Sequence, residues 1–363
     1  MQYRNMQKPI FAMVLQGVIV YLAPMTVSPP QIGVAIVAYQ SAPVILACLE
    51  SLFRSEGASL RVVVTDNACT DQTVDLIRAW ALENADRVTF QEAVLGEISV
   101  ATADLTLVRS PVNGGFAYAC NTGLRLLTPI EGLDLFWLVN PDCEVLPDTA
   151  AQFIRGASQG EFSLMGGRTI FRNNPDIVQT DGGRVSRLTG VCKSVNWGVP
   201  LRQAAMPSDT EIDFITGANC VASRKFIEAA GYMVEDYFIY YEEVDWAFRR
   251  GALPLRQVPE AVILHDGGTV IGSGSLNRLP SPFSTYFNSR NRIRFVRRFM
   301  PTALPLAYAF ILLQSLRNVK RGALPQAKAA LAGALGFKPP ANVREFVAKS
   351  AWDHAFTALV DRP

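Results

Sequence analysis

At 363 residues the chain can bury one large core or a core with an appendage, and 49% apolar with 18% charged residues excludes a disordered protein. The net charge of +2 hides an asymmetry: from Tyr286 onward 13 Lys or Arg stand against 3 Asp or Glu, and elsewhere 21 stand against 29. A basic tail on an acidic body predicts an anionic surface as the tail's partner, and without a helix-turn-helix, zinc-finger or RNP-like pattern nucleic acid is not expected.

Ile10 to Met25 is a mostly apolar run after Arg4 and Lys8, broken by Gln16 and Gly17. It falls short of the ~20 residues of a membrane span and lacks a clear A-x-A cleavage site, so residues 1–30 read as a leader or a surface-lying helix. Ile32 to Tyr39 is a continuous apolar, β-branched run, the pattern of a strand buried on both faces. Ser41 and Pro43 then open an apolar-periodic helix through Phe53, with Ser41 as its cap. Leu60 to Thr65 reads as a second strand ending at Asp66-Asn67, followed by a helix from Asp71 to Trp80. A third strand (Leu105 to Val108), a third helix (Phe116 to Leu127) and a fourth strand (Leu133 to Val139, ending at Asn140-Pro-Asp142) complete the series. Such alternation predicts an α/β fold, a parallel sheet with helices on both faces. Ligands bind such sheets at the carboxyl ends of the strands, where Asp66, Asn113-Gly-Gly115 and Asp142 all fall.

After Leu146 the pattern changes, with Gly166-Gly167, Gly182-Gly183 and Gly190 punctuating short polar segments that suit the floor of an acceptor cleft. Thr216-Gly-Ala-Asn219 and a helix from Ser223 to Ala230 follow. The six cysteines (Cys48, Cys69, Cys120, Cys143, Cys192, Cys220) form no CxxC pair and several sit in apolar runs, which points to a reducing compartment rather than a disulfide framework.

Phe238 to Arg249 holds the densest chemistry. Glu242, Glu243 and Asp245 crowd three carboxylates among Tyr240, Tyr241 and Trp246. Repulsion and apolar neighbours both raise carboxyl pKa values, so such a cluster serves a cation, a proton transfer or a basic partner unless it is a solvated turn before a helix. Arg249 is placed to pair with Asp245 one turn back. His265 follows an apolar run in Val262-Ile-Leu-His-Asp-Gly-Gly268, as a structural histidine or a metal ligand.

The order of Val34-Ala-Ile-Val-Ala-Tyr39, Asp66-Asn-Ala-Cys-Thr-Asp71, Asn113-Gly-Gly-Phe-Ala-Tyr-Ala-Cys-Asn-Thr-Gly123, Asn140-Pro-Asp142, Gly217-Ala218, Glu242-Glu243 and Tyr286-Phe-Asn-Ser-Arg-Asn291 resembles family-2 glycosyltransferases of the rhamnosyltransferase-like kind. The resemblance covers roughly residues 32 to 300. It implies a GT-A, Rossmann-like, mostly parallel sheet flanked by helices, spanning 31–300, with a donor half at 31–145 and an acceptor half at 146–300. A nucleotide-sugar donor (dTDP-, UDP- or GDP-linked) would meet Tyr39, Asp66, Asn67, Asn113, Gly114, Gly115, Asn121, Asn140 and Asp142. Asp142, with His265, would hold Mg²⁺ or Mn²⁺. Glu243 would be the catalytic base with Asp245 as the alternative, and Gly217, Ala218 and Glu242 would face the acceptor.

Two positions depart from the pattern. Asn140-Pro-Asp142 stands where many relatives carry Asp-x-Asp, which puts a strict metal requirement in doubt. Glu243 stands where Asp is usual, so its carboxylate reaches one methylene further. Arg290 reads as structural or as a diphosphate contact.

In 301–363, Ala303 to Leu313 runs into Arg317, Lys320 and Arg321, which suits a helix lying in a membrane interface or one packed on the core. The expected activity is inverting transfer of a sugar, rhamnose favoured, to a cell-surface polysaccharide or lipid-linked glycan, at the cytoplasmic face of the membrane, by a monomer or homodimer. A sugar nucleotidyltransferase would need a glycine-rich basic loop where Tyr39-Gln-Ser-Ala-Pro43 stands, and a dinucleotide oxidoreductase would need GxGxxG. A non-catalytic nucleotide-sugar-binding protein remains as the alternative.

Overall fold

A computed structural model describes residues 11–15, 18–22, 31–266 and 278–356. The apolar run near the start is not a helix. Its backbone forms β1 (Phe11–Leu15) and β2 (Val18–Leu22), paired antiparallel with Leu15 opposite Val18, and β2 extends the main sheet. Val18-Ile-Val-Tyr-Leu22 is rich in β-branched residues, which favours a strand over a helix.

The first part of the sheet is built on β3 (Ile32–Ala38), whose residues are all buried. A turn leads into α1 (Ile45–Phe53), which starts later than read: the Ser41 carbonyl accepts the amides of Val44 and Ile45, while the Ser41 hydroxyl accepts the Tyr39 amide instead of capping the helix. Next come β4 (Leu60–Asp66), α2 (Thr73–Glu83), β5 (Phe90–Val94), β6 (Leu105–Arg109), α3 (Phe116–Leu127) and β7 (Leu135–Val139). Strands β5-β6-β4-β3-β7 form a continuous parallel block, with Ala38 opposite Asp66 and Asp66 opposite Arg109.

Alternation along β3 feeds two cores. Val34 and Ile36 pack with α1 and α2, whereas Ala35 and Val37 pack with α3. The result is a three-layer α/β/α domain.

In the second half β8 (Cys143–Val145), α4 (Thr149–Ala157), β9 (Leu164–Phe171), β10 (Asn174–Thr180), β11 (Gly183–Val185) and β12 (Cys192–Ser194) precede β13 (Asn219–Ser223), which inserts antiparallel between β7 and β9. After α5 (Arg224–Ala230) and α6 (Glu242–Phe248), β14 (Arg256–His265) runs parallel to β9 and antiparallel to β8. That register sets His265 opposite both Cys143 and Phe171, beside Asp142.

The chain then enters α7 (Pro282–Phe299), capped by the Ser281 hydroxyl, followed by α8 (Leu304–Lys320) and α9 (Leu324–Leu335). α9 is rich in small residues because it lies against α7 at close range: a Cβ on Gly333 would sit 2.3 Å from the Tyr286 carbonyl oxygen. Short helices α10 (Ala341–Arg344) and α11 (Trp352–Phe356) fold back, burying Val343, Val347 and Ala355 with Phe238, Phe283 and Phe287.

Candidate active site

A cavity of about 730 Å³ opens at the carboxyl ends of β3, β4 and β7 and extends across β9 and β14. Its central wall carries Glu242 and Glu243 at the start of α6. The loop delivering them is contorted, with φ of 64° at Phe238, 69° at Tyr240 and 75° at Tyr241. Left-handed backbone at such residues costs about 1–3 kcal/mol each and persists only when its surroundings enforce it.

Here the surroundings are explicit. Asn291 Nδ2 lies 2.9, 2.7 and 2.9 Å from the carbonyl oxygens of Tyr237, Ile239 and Tyr240, and Arg290 Nη2 donates to Tyr237 at 2.7 Å. The Tyr240 and Ser284 hydroxyls are 2.9 Å apart, and the Tyr241 hydroxyl donates to the Gly190 carbonyl at 2.7 Å. The Arg-Asn pair on α7 is thus a cage for the acidic loop, and Arg290 does not reach the cavity.

Glu242 is 3% exposed and its Oε2 has no hydrogen-bond partner. Burial, then the charge of Glu243, pushes its carboxyl well above the usual range. Burial also raises Glu243, to about 7, against a smaller opposing pull from the α6 backbone amides. Both shifts run the same way, so burial favours the protonated forms of these two sequence neighbours.

At the other end of the cavity Asp142 Oδ1 lies 3.1 Å from His265 Nε2. His265 Nδ1 is 2.5 Å from Gln179 Oε1, whose amide nitrogen donates back to the His265 carbonyl at 3.4 Å. Gln179 Oε1 can only accept, so Nδ1 is the donor there and Nε2 is the ring atom turned to Asp142, with Asn140 Nδ2 3.4 Å away. Asp142 Oδ1 and His265 Nε2 thus converge on one point, a pair that fits a divalent metal with donor oxygens and water completing its shell. Cys143 has its sulfur within 4.8 Å of the same ligand atoms. It is no ligand for a hard cation: the thiol faces the Ala218 carbonyl at 3.5 Å, and burial keeps it protonated. Glu144 is engaged by Arg172.

A match to the family model of glycosyl transferase family 2 covers residues 33–230, more than half of the chain. The chain belongs to glycosyl transferase family 2. The low-salt glycan biosynthesis hexosyltransferase Agl10 of Haloferax volcanii is 21% identical over 193 residues, which make up 52% of this chain and 59% of that protein. The chain thus spans less than two thirds of that relative's length. The structure of GalNAc-T7 with UDP, GalNAc and Mn²⁺ superposes with a TM-score of 0.54 at 14% identity, over 89% of this chain and 57% of that one. The mannosyltransferase PcManGT from Pyrobaculum calidifontis, in complex with GDP-Man and Mn²⁺, gives 0.49 at 18% identity, over 89% and 81%.

In this glycosyltransferase the residues expected at the donor divide into two groups. Tyr39, Asn67, Asn113, Gly115, Asn140 and Asp142 line the cavity. Asn67 also organises the wall, accepting the Gly114 amide at 3.0 Å and donating to Asn113 Oδ1 at 2.9 Å.

Asp66, Gly114 and Asn121 are not among the lining residues. Asp66 accepts the Cys69 amide at 2.8 Å and shapes the turn after β4. Asn121 is buried in α3, donates to the Met233 carbonyl at 2.9 Å and accepts the Met233 amide at 3.1 Å, so it braces the fold. The two glycines answer to the protein itself. A Cβ on Gly114 would sit 2.3 Å from the Tyr118 ring, and one on Gly115 (φ 93°) would sit 2.3 Å from the Phe238 carbonyl oxygen.

Of the residues expected at the acceptor, Gly217 and Ala218 line the cavity, and a side chain on Gly217 would meet Phe116 at 3.1 Å beside Glu243. Asp245 does not belong to the site. It is fully buried, with Oδ1 held by Arg249 at 2.8 Å and Oδ2 by Arg298 at 2.8 Å and the Tyr237 hydroxyl at 2.9 Å. Both oxygens are engaged, so it cannot serve as an alternative base.

The Gly267-Gly268 part of the histidine motif lies outside the described residues. Sequence reasoning missed Gln179, the edge-on pair Phe171–Trp197 (5.3 Å between ring centres), and Glu345 with Phe346. On β10 Gln179 sits between Val178 and Thr180 without alternation, so no local pattern marks it, and none marks Glu345 and Phe346.

Proposed function

We propose that this family-2 enzyme transfers one sugar, with inversion, from a nucleoside diphosphate donor to a hydroxyl of a glycan acceptor, with Glu243 as the base. The observation that carries this reading is a carboxyl with a pKa raised to about 7, set in one cavity with the Asp142–His265 pair. A base poised near the working pH both holds its charge and accepts a proton effectively.

The acceptor oxygen forms its bond to the anomeric carbon as the bond from that carbon to the diphosphate breaks. Glu243 takes the hydroxyl proton and later releases it to solvent. Asp142 and His265 would hold Mg²⁺ or Mn²⁺, which when bound neutralises charge on the leaving diphosphate. Asn67, Asn113 and Tyr39 would contact the nucleoside at the ends of β3, β4 and β6, while Glu242, neutral in the resting site, can donate a hydrogen bond to the acceptor.

A dTDP-rhamnose-like donor is favoured by the motif order, with UDP- and GDP-sugars as the competing donors. The acceptor we favour is a cell-surface polysaccharide precursor on a lipid carrier, met by a peripheral enzyme at the cytoplasmic membrane face.

Release of nucleoside diphosphate from a panel of nucleotide sugars, with Mn²⁺, Mg²⁺ or EDTA, tests the reading. Metal-dependent release of one nucleotide, abolished in Glu243→Gln, supports it. Binding to none of the donors overturns it.

A further inference from the structure

α8 has two dissimilar faces. Ala307, Ile311, Ser315 and Asn318, at helical spacing, are its buried residues. At 100° per residue Leu306, Leu312, Leu313, Leu316 and Val319 fall on the side turned away from the protein, and they are 50, 52, 47, 52 and 47% exposed. Leu324 and Leu335 at the ends of α9 are each 51% exposed, and Phe337 is 62% exposed. A soluble protein rarely leaves so many large aliphatic side chains on one face without a partner.

The charges along this stretch of chain have one sign. From Pro301 to Arg344 the sequence has no Asp or Glu, while Arg317, Lys320, Arg321, Lys328, Lys338 and Arg344 are basic. The partner is therefore apolar at its centre and anionic around it. A second copy fits poorly, because a two-fold interface through α8 would bring two clusters of cations together with no acidic residue on the helix pair to answer them.

Nor does the helix span a bilayer: among the described residues no helix is long and apolar enough to cross one. An apolar face rimmed by Lys and Arg suits the plane of the interface, with leucines in the acyl boundary and cations at the phosphates.

We propose that the outward face of α8, with the exposed ends of α9, is a docking surface for an anionic phospholipid bilayer. The inference names the surface behind the membrane placement put forward above, and lipid binding is read without turnover. Failure of the docking surface leaves the transfer reaction standing, and the reverse also holds.

The full chain would be floated with vesicles of phosphatidylcholine alone or mixed with phosphatidylglycerol, at low and high salt. The expected result is association with the anionic vesicles only, weakened by salt. Leu312→Glu with Leu316→Glu would abolish it, and Arg317→Glu with Lys320→Glu would weaken it about 10-fold or more, at roughly 1 kcal/mol per lost cation. These positions are exposed, so circular dichroism of each variant should match the parent. Three outcomes would overturn the proposal: no association of the parent, association indifferent to the leucine substitutions, or a stable dimer by light scattering that the leucine substitutions dissociate.

Discussion

The side-chain amide of Asn291 donates to the backbone carbonyl of Tyr240 at 2.9 Å, two residues before the acidic pair. Tyr240 is left-handed at 69°, and the same amide also reaches the carbonyls of Tyr237 and Ile239. The loop that presents Glu242 and Glu243 is thus shaped from α7, outside the sequence matched by the family model.

Replacing Asn291 by Ala would remove the donor shared by the Ile239 and Tyr240 carbonyls and release the strained loop, while the Tyr237 carbonyl keeps Arg290. A loss of about 2–4 kcal/mol in thermal or denaturant unfolding is expected. The transfer rate should fall as well. Asn291→Asp should be no better, since a carboxylate would face carbonyl oxygens.

Glu243→Gln should cut transfer by ~10²–10⁴-fold while leaving donor binding intact, measured by titration of the nucleotide sugar. In the parent enzyme the rate should rise through about pH 7 on the acid side, because only the ionised carboxylate accepts a proton. Stability has the opposite sign. The unfolded chain releases this proton near 4.5 and the folded protein near 7, so the contribution is full below about 4.5 and is lost as pH rises to about 7. Denaturant unfolding across that window should show a shallower fall in Glu243→Gln.

Gln179→Leu removes the acceptor that fixes the His265 ring. Loss of such a partner typically costs ~10–100-fold in metal affinity, so Mn²⁺ binding by calorimetry or electron paramagnetic resonance should weaken by that order. Asp142→Asn should weaken it further.

Asp245→Asn separates structure from chemistry. It uncouples a buried carboxylate from Arg249 and Arg298, and breaking such a pair costs about 3–5 kcal/mol. Unfolding should shift strongly, while the acid limb of the rate profile in the surviving folded enzyme should stay near pH 7.

The parallel block was legible because its strands are apolar on both faces and its helices keep one apolar stripe. The third helix runs from Phe116 to Leu127, as its pattern predicts. β5 was missed because it carries Gln91 and Glu92, and Glu92 is acceptable there only through Arg78 at 2.6 Å and Arg109 at 3.1 Å from other elements. The Asp142–His265 corner was half legible: the motifs named both residues, but the pairing of β8 with β14 brings them together. Local spacing could not separate Glu243 from Asp245. They are two residues apart on one short helix, which turns one into the cavity and the other towards Arg249 and Arg298.

Glu345 and Phe346 line the same cavity as Glu243, and Phe346 lies 5.9 Å from Phe283 on α7. They are translated long after Glu243, the Asp142–His265 pair and the strand ends that form the opposite wall. If domains fold as they emerge, a nascent chain can complete its sheet yet hold a catalytic pocket with one side missing. Biogenesis itself would then set the order of events, with the pocket left open on one side until Glu345 and Phe346 have docked, and a chain cut before them would fold its sheet and still process sugars poorly.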